Sequence, residues 1–262
     1  MELEEIKQVL INSLKGHDTD KLQLIYNNRK LYDQHYKYIF DFYSGYPNNE
    51  YTLNYLGYMY EHGLGVTCDY KKAIELYEKS IDLGDSNSMY NLAFMYQHGQ
   101  GIPCNYKKAA ELYQKAIQLG NKGAMNNLAF MYHHGEGVEQ NYEKAIELYE
   151  KAIELGNILS MNNLATMYEY GQEIDVNYEK ALDLYLMAYN NGCHDTLHNI
   201  KNIIWFNPDL IIKLLNKQKC LLNEKDDIIH EQKNIITELM YFPGGLGYYE
   251  CKSHFTDCIN KN

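Results

Sequence analysis

The sequence predicts an all-α fold, a solenoid of helix-turn-helix repeats with a period of 36 residues followed by a long C-terminal helix. Each repeat contains two stretches with the hydrophobic spacing of an amphipathic helix, and glycines separate them. The motif recurs without insertion in four consecutive copies, at residues 51–86, 87–122, 123–158 and 159–194.

The register of the repeat rests on six positions that step by 36 residues. In the first half of each copy they are Leu56, Leu92, Leu128 and Leu164, then Tyr60, Tyr96, Tyr132 and Tyr168, then Gly63, Gly99, Gly135 and Gly171. In the second half they are Tyr70, Tyr106, Tyr142 and Tyr178, then Ala73, Ala109, Ala145 and Ala181, then Gly84, Gly120, Gly156 and Gly192. Coincidence does not produce this agreement.

We call the first helix of each repeat helix A and the second helix B. In the first repeat, helix A has an apolar face that includes Leu53 and Leu56, and Gly63 can adopt the positive φ that ends a helix. Helix B begins near Tyr70, has apolar residues at helical spacing, and is closed by Gly84.

Small residues recur where facing helices are expected to approach closely. One such pair of helices cannot bury its apolar faces alone, so neighbouring repeats must stack into a continuous core. The small positions are Gly57, Ala93, Ala129 and Ala165 in helix A, and Ala73, Ala109, Ala145 and Ala181 in helix B.

The two ends of the chain lack the full motif. Residues 1–50 are predicted to form an N-terminal helical cap, because terminal repeats shield the core and are atypical. Residues 195–241 are predicted to form a partial fifth repeat, in which Asp195 to Phe206 takes the place of helix A. Residues 242–262, with one proline and three closely spaced glycines at their start, are predicted to form a turn and a short last helix.

A long helix is predicted from Pro208 to about Tyr241, with Asn207 as its N-cap. Apolar pairs recur in it every seven residues, but the alternating core positions between them are polar, so only half of a coiled-coil seam is present. The helix therefore either folds back over the last repeat or pairs with another chain. The seam residues for such oligomerisation are Leu214, Leu221, Ile228 and Ile235.

Composition argues against several classes of partner and location. A net charge of -11 has the wrong sign for wrapping a phosphate backbone, so nucleic acid is not expected as a partner. The acidic N-terminus lacks the positive charge of a secretory signal, and no stretch approaches the roughly 18 apolar residues of a membrane span. Six irregularly spaced cysteines indicate free thiols. We expect a cytoplasmic protein without membrane contact.

The pattern Asn-Leu-Ala-Phe-Met-Tyr-x-His-Gly-x-Gly, followed by Asn-Tyr-x-Lys-Ala-x-Glu-Leu-Tyr-x-Lys-Ala-Ile-x-Leu-Gly, resembles the Sel-one-like repeat. This family belongs with the tetratricopeptide-like solenoids, so the resemblance implies a right-handed α-solenoid that acts as an adaptor between proteins. It covers residues 51–194, with one departure at Glu173, where the other copies carry a loop glycine. The run from Glu238 to Phe255 also resembles a C-terminal segment of repeat proteins from giant DNA viruses, which implies action in a host cytoplasm.

The inner face of helix A is the candidate site for a partner protein or peptide. In tetratricopeptide-like arrays this face lines the concave side, and an asparagine there often forms hydrogen bonds with the backbone of a ligand. Asparagine donates and accepts hydrogen bonds at once, which suits an extended peptide. Alternatively, these asparagines only bond neighbouring helices. The candidate residues are Asn91, Asn127, Asn163, Asn126, Asn162, Phe94 and Phe130.

Metal and catalytic sites are not expected. His62, His98 and His134 also step by 36 residues, but stacked helices hold equivalent positions about 10 Å apart, too far to share zinc; a role at the helix end is preferred. Cys251, His254 and Cys258 offer three zinc ligands where a structural site needs a fourth.

No catalytic motif occurs in the sequence, so neither an enzyme nor a cofactor is predicted. The predicted function is a protein-interaction scaffold. The alternative is a structural protein that self-associates through its C-terminal helix.

Overall fold

The structure, a computed structural model, describes residues 3–15, 35–171, 174–207 and 210. Within these ranges the only regular structure is helical, which confirms the predicted all-α class. The α-helices are α1 (Leu3–Ser13), α2 (Tyr36–Ser44), α3 (Glu50–His62), α4 (Tyr70–Asp82), α5 (Ser86–His98), α6 (Tyr106–Gln118), α7 (Lys122–His134), α8 (Tyr142–Glu154), α9 (Ile158–Tyr170), α10 (Tyr178–Asn190) and α11 (Leu197–Phe206).

The repeats are the four consecutive helix pairs from α3 to α10. Helix A is α3, α5, α7 or α9, and helix B is α4, α6, α8 or α10. The glycine after each of the first three A helices, Gly63, Gly99 and Gly135, has a left-handed φ of 66°, 67° and 71°, as predicted. An Asp or Asn side chain caps the start of every helix B by accepting a backbone N–H three residues later. These caps are Asp69, Asn105, Asn141 and Asn177.

A second glycine in the loop between helix A and helix B is required by close packing. Gly101 has a φ of +66°, and a side chain there would overlap the Cβ of Tyr70. Gly137 has a φ of +69° and would overlap the backbone of Tyr106. The loop of one repeat therefore rests on the start of the preceding helix B. Glu173, the predicted departure at this position, lies outside the described residues.

The chain divides into two compact units, the first ending at Asn157 and the second starting at Ile158. In the first unit, α1 and α2 share a core with α3 through Ile6, Leu10 and Ile39. The Ser13 and Tyr43 hydroxyls lie 2.8 Å apart within it. Repeats two and three continue the unit with a core of alanine, leucine, methionine and tyrosine.

The predicted small positions are buried in the structure. A Cβ on Gly57 would lie 2.7 Å from Cε1 of the Tyr77 ring, so α3 and α4 meet at van der Waals contact there. The alanines at the other small positions are fully buried, and these are Ala73, Ala93, Ala109, Ala129, Ala145, Ala165 and Ala181.

The second unit contains the fourth repeat and α11. Its core joins α9, α10 and α11 through residues such as Ala165, Tyr185 and Ile203. A short 3-10 turn, His194–Thr196, precedes α11, and the Thr196 hydroxyl donates to the Tyr185 carbonyl at 3.3 Å. Several predicted features lie outside the described residues. They are residues 16–34 of the N-terminal cap, the helix from Pro208 to Tyr241 with Leu214, Leu221, Ile228 and Ile235, and residues 242–262.

Candidate functional site

The candidate face lies on α5 and α7, where Asn91, Phe94, Asn127 and Phe130 are all half-buried. Each pair is spaced i, i+3, which places the amide and the ring on the same side of the helix. The two helices start in the same register, because the Asp85 carboxylate accepts the Ser88 N–H at 2.7 Å and Asn121 caps α7 in the same way. We call these four side chains the helix-A face.

The asparagine amides of the helix-A face also hold neighbouring helices together. Asn127 Nδ2 donates to the Tyr113 hydroxyl on α6 at 2.9 Å, and the Asn91 side chain is hydrogen-bonded to the hydroxyl of Tyr77 on α4. Asn126 is buried, and its Nδ2 donates to Asn127 Oδ1 at 3.1 Å. These bonds fix the orientation of Asn127 while leaving it half-exposed.

The other two predicted asparagines, Asn162 and Asn163, are half-buried on α9 in the second unit. The Asn162 carbonyl accepts the Thr166 hydroxyl at 3.0 Å. Thr166 stands where α5 and α7 carry Phe94 and Phe130, so the fourth repeat lacks the aromatic half of the face.

Each ring of the helix-A face is paired with a histidine one turn later. The centroids of Phe94 and His98 are 4.1 Å apart, and those of Phe130 and His134 are 4.0 Å apart. His134 Nδ1 lies 2.9 Å from the Phe130 carbonyl oxygen, which makes Nδ1 the protonated nitrogen. These histidines stand at the ends of their helices, where a cap role was predicted for them.

Repeat one continues the face with aromatic residues that the sequence reasoning missed. Tyr55 and Tyr58 occupy the positions of Asn91 and Phe94, and both are half-buried. Tyr58 stacks on His62 with centroids 4.1 Å apart, as Phe130 does on His134. The same step of 36 residues that identified the asparagines could have found these tyrosines.

A fully buried tyrosine occupies the same position of helix B in each repeat. Tyr77 and Tyr113 are fully buried, and their hydroxyls donate to Glu61 Oε2 at 2.7 Å and to Gln97 Oε1 at 2.9 Å. In the second unit, Tyr185 donates to Glu169 Oε2 at 2.7 Å. Tyr149 is fully buried at the same position of the third repeat. We call each tyrosine with its acceptor a tyrosine centre.

Burial shifts the pKa values of the groups in these centres. It raises the pKa of Glu61, although the hydrogen bond from Tyr77 acts in the opposite direction. Burial also raises the pKa values of Tyr77, Tyr113 and Tyr185, so their hydroxyls stay protonated donors at neutral pH. The tyrosine hydroxyls therefore act as hydrogen-bond donors between packed helices.

Within the described ranges, no three histidine, cysteine or acidic side chains come together as a metal site. Cys251, His254 and Cys258 lie outside these ranges. Cys68, Cys104 and Cys193 are free thiols. None of the helices described is long and apolar enough to cross a membrane.

Comparison with known proteins identifies the repeat. The Sel1 repeat profile matches residues 51–85, 86–121, 123–157 and 158–193, in agreement with the resemblance in the sequence. No curated protein matches the chain. The resemblance to giant-virus proteins stays a prediction.

Two solved structures are similar in fold. A Sel1 repeat protein from Oxalobacter formigenes has 24% identity and a TM-score of 0.59, over 68% of this chain and 72% of that one. A protective antigen of uropathogenic Escherichia coli with an SLR fold has 26% identity and a TM-score of 0.59. The match covers 79% of this chain and 44% of the antigen.

Sel1 repeats form a non-catalytic scaffold fold, and proteins that contain them generally mediate protein–protein interactions. The four matched repeats fill more than half of the sequence and coincide with the helix pairs α3 to α10. The chain therefore belongs to the Sel1 repeat family.

Proposed function

We propose that this protein is a non-enzymatic interaction scaffold that binds an extended peptide segment of a partner protein on the helix-A face. The observation that carries the proposal is the recurrence of a half-buried amide and a half-buried ring in successive A helices, Asn91 with Phe94 and Asn127 with Phe130. The proposed location is the cytoplasm, and nucleic acid and membranes are not among the proposed partners.

The chemistry of the face suits a peptide. Aromatic rings offer a large apolar area at small entropic cost, and such rings are frequent among residues that dominate binding energy. Asparagine amides donate to and accept from a peptide backbone. Because Asn127 and Asn91 are already oriented by Tyr113 and Tyr77, less ordering is needed when a ligand binds.

The charge of the face indicates what kind of peptide fits. Although the chain carries a net charge of -11, α5 contains no Asp, Glu, Lys or Arg, and α7 contains only Lys122 at its start. Binding should therefore depend on apolar and amide contacts. We expect an affinity that changes little with salt, unlike binding through surface ion pairs.

Panning a library of displayed random peptides on the full chain tests the proposal. Peptides that it selects should bind the double variant Phe94→Ala and Phe130→Ala at least tenfold more weakly, a loss of about 1.4 kcal/mol or more. Neither ring bonds a tyrosine hydroxyl, so the tyrosine centres stay intact. Far-ultraviolet circular dichroism checks that the variant is folded.

The matched control is Glu111→Ala with Lys115→Ala, two exposed positions on helix α6. This variant should bind the selected peptides as the parent chain does. If peptides bind the phenylalanine variant and the parent equally, the helix-A face is not the site. Asn127→Ala with Phe130→Ala is a further test, but it also removes a bond to Tyr113.

A further inference from the structure

Two exposed histidines lie at one end of the helix-A face. His98 and His134 are the last residues of α5 and α7, and both are exposed. Each stands one turn after the phenylalanine whose ring it contacts, Phe94 or Phe130. The spacing i, i+4 places each histidine on the same side of its helix as that ring. A peptide on the helix-A face can therefore reach both imidazoles.

The imidazole of His134 presents a hydrogen-bond acceptor at this end. Its Nδ1 carries the proton, because Nδ1 lies 2.9 Å from the Phe130 carbonyl oxygen. Nε2 of the uncharged ring then has a lone pair. His98 has the same ring contact, with its centroid 4.1 Å from that of Phe94. The ligand group that meets these rings should be a hydrogen-bond donor.

The electrostatic environment at this end of the face favours a cation. The C-terminal end of a helix carries a partial negative charge, and α5 and α7 both end here. Glu136 adds a carboxylate, whose Oε2 lies 3.3 Å from Nε2 of Gln97, the residue before His98. In the part of the chain that the structure describes, no lysine or arginine forms an ion pair with Glu136. A basic side chain of the ligand would supply the missing positive charge.

Building on the proposed function, we infer that the partner segment carries basic side chains three residues apart, which meet His98 and His134. Helices α5 and α7 are neighbours, since Asn121 at the start of α7 donates to Asn87 Oδ1 on α5 at 3.0 Å. Equivalent positions of packed helices are about 10 Å apart. In a polyproline II segment, side chains three residues apart point the same way and lie about 9 Å apart. The spacing of the basic residues then matches the step between the histidines.

The histidine end of the face should determine selectivity more than total affinity. Exposed contacts with a cation are individually weak. Uncharged imidazoles also form no ion pair that salt would screen. The rings and amides of the helix-A face therefore supply most of the binding energy, and the two basic side chains decide which segments bind best.

A displayed library of random peptides with two lysines fixed three residues apart tests the inference on the full chain. Panning is done at about pH 8, where free imidazole is uncharged. Each selected peptide is compared with a version in which glutamine replaces both lysines. We expect the glutamine versions to bind about fivefold more weakly, as for the loss of two exposed polar contacts. Equal affinities would overturn the inference.

The double variant His98→Leu with His134→Leu shows whether the histidines receive the lysines. It should bind the lysine peptides about fivefold more weakly than the parent chain does, and the glutamine versions equally well. The control is His198→Leu, which replaces an exposed histidine on α11 and should bind both kinds of peptide as the parent does. If the lysines matter as much to the double variant as to the parent, the inference is wrong.

Failure of this inference can be distinguished from failure of the proposed function. Selected peptides that bind the variant Phe94→Ala with Phe130→Ala more weakly, but are unaffected by the lysine and histidine changes, support the helix-A face as the site and exclude a basic segment. If the library yields no binder, or if the phenylalanine variant binds every peptide as the parent does, both proposals are wrong.

Discussion

The tyrosine centres of repeats one and two place the same side chain against different acceptors. Tyr77 donates to the carboxylate of Glu61 at 2.7 Å, whereas Tyr113 donates to the carboxamide of Gln97 at 2.9 Å. Both tyrosines are fully buried, and both acceptors are less than 10% exposed. Repeats one and two therefore share an acceptor at this position but differ in whether it can carry a charge.

Of these two tyrosine centres, only the one in repeat one can titrate through its acceptor. Burial raises the pKa of Glu61 above the unfolded value of about 4.3. The folded state then binds the proton more tightly than the unfolded state. The contribution of Glu61 to stability is fully present below the unfolded pKa and is lost as pH rises through the folded pKa. Gln97 does not titrate, so the acceptor in repeat two makes no pH-dependent contribution to stability.

The largest effect is expected from removing the Tyr77 hydroxyl. At neutral pH Tyr77→Phe leaves a buried carboxylate without its donor, which should lower the free energy of unfolding by about 1.5–3 kcal/mol. Tyr113→Phe is the matched control and should cost about 1 kcal/mol, because its acceptor is neutral. Urea denaturation measures both. An equal or larger loss for Tyr113→Phe would contradict the role given to charge.

Gln97→Glu gives the tyrosine centre of repeat two the same type of acceptor as that of repeat one. We expect it to lower the free energy of unfolding by an intermediate amount. The buried carboxylate would also face Glu136, whose Oε2 now lies 3.3 Å from Gln97 Nε2. We expect a loss of about 1–3 kcal/mol at neutral pH, recovered in part as the new carboxylate is protonated in acid. Denaturation at two pH values measures it. A loss of the same size at both would show that repulsion between charges is not the cause.

The smallest effect is expected from Glu61→Gln, which gives repeat one the acceptor of repeat two. The change should alter stability at neutral pH by less than about 1 kcal/mol. It should also remove the loss of stability that the parent chain shows as pH rises from below the unfolded pKa of Glu61, about 4.3, to neutral pH. Denaturation midpoints across this range test it. A variant that keeps the parent's pH dependence would assign that dependence to another group, such as Asp85, whose pKa burial also raises.

Residues that determine local backbone geometry were predictable from the sequence. Gly63 ends α3 because glycine adopts a left-handed φ more readily than any other residue type. The helix pairs follow from the spacing of the hydrophobic residues. The acceptors of the tyrosine centres were not predicted. Glu61, Gln97 and Glu169 all accept a hydrogen bond, but they are not the same residue type. A search for identical residues every 36 positions therefore does not find them.

The candidate site was predictable only in part, for a similar reason. The asparagines were found because one residue type recurs, but the bond from Asn127 to Tyr113 joins helix A of one repeat to helix B of the repeat before it. Such a contact depends on how repeats stack. Tyr55 and Tyr58 were missed because their residue types differ from those in repeats two and three.

In the proposed function, Asn91 and Asn127 link peptide binding to the contact between adjacent repeats. Each amide lies on the helix-A face and also joins two adjacent repeats through a buried hydroxyl. A peptide that engages these amides binds only while the repeats are stacked, so its binding energy adds to the stability of each junction. A partner bound to this face should raise the unfolding temperature of the first unit. A substitution that weakens the contact between two repeats should in turn lower the affinity for the partner.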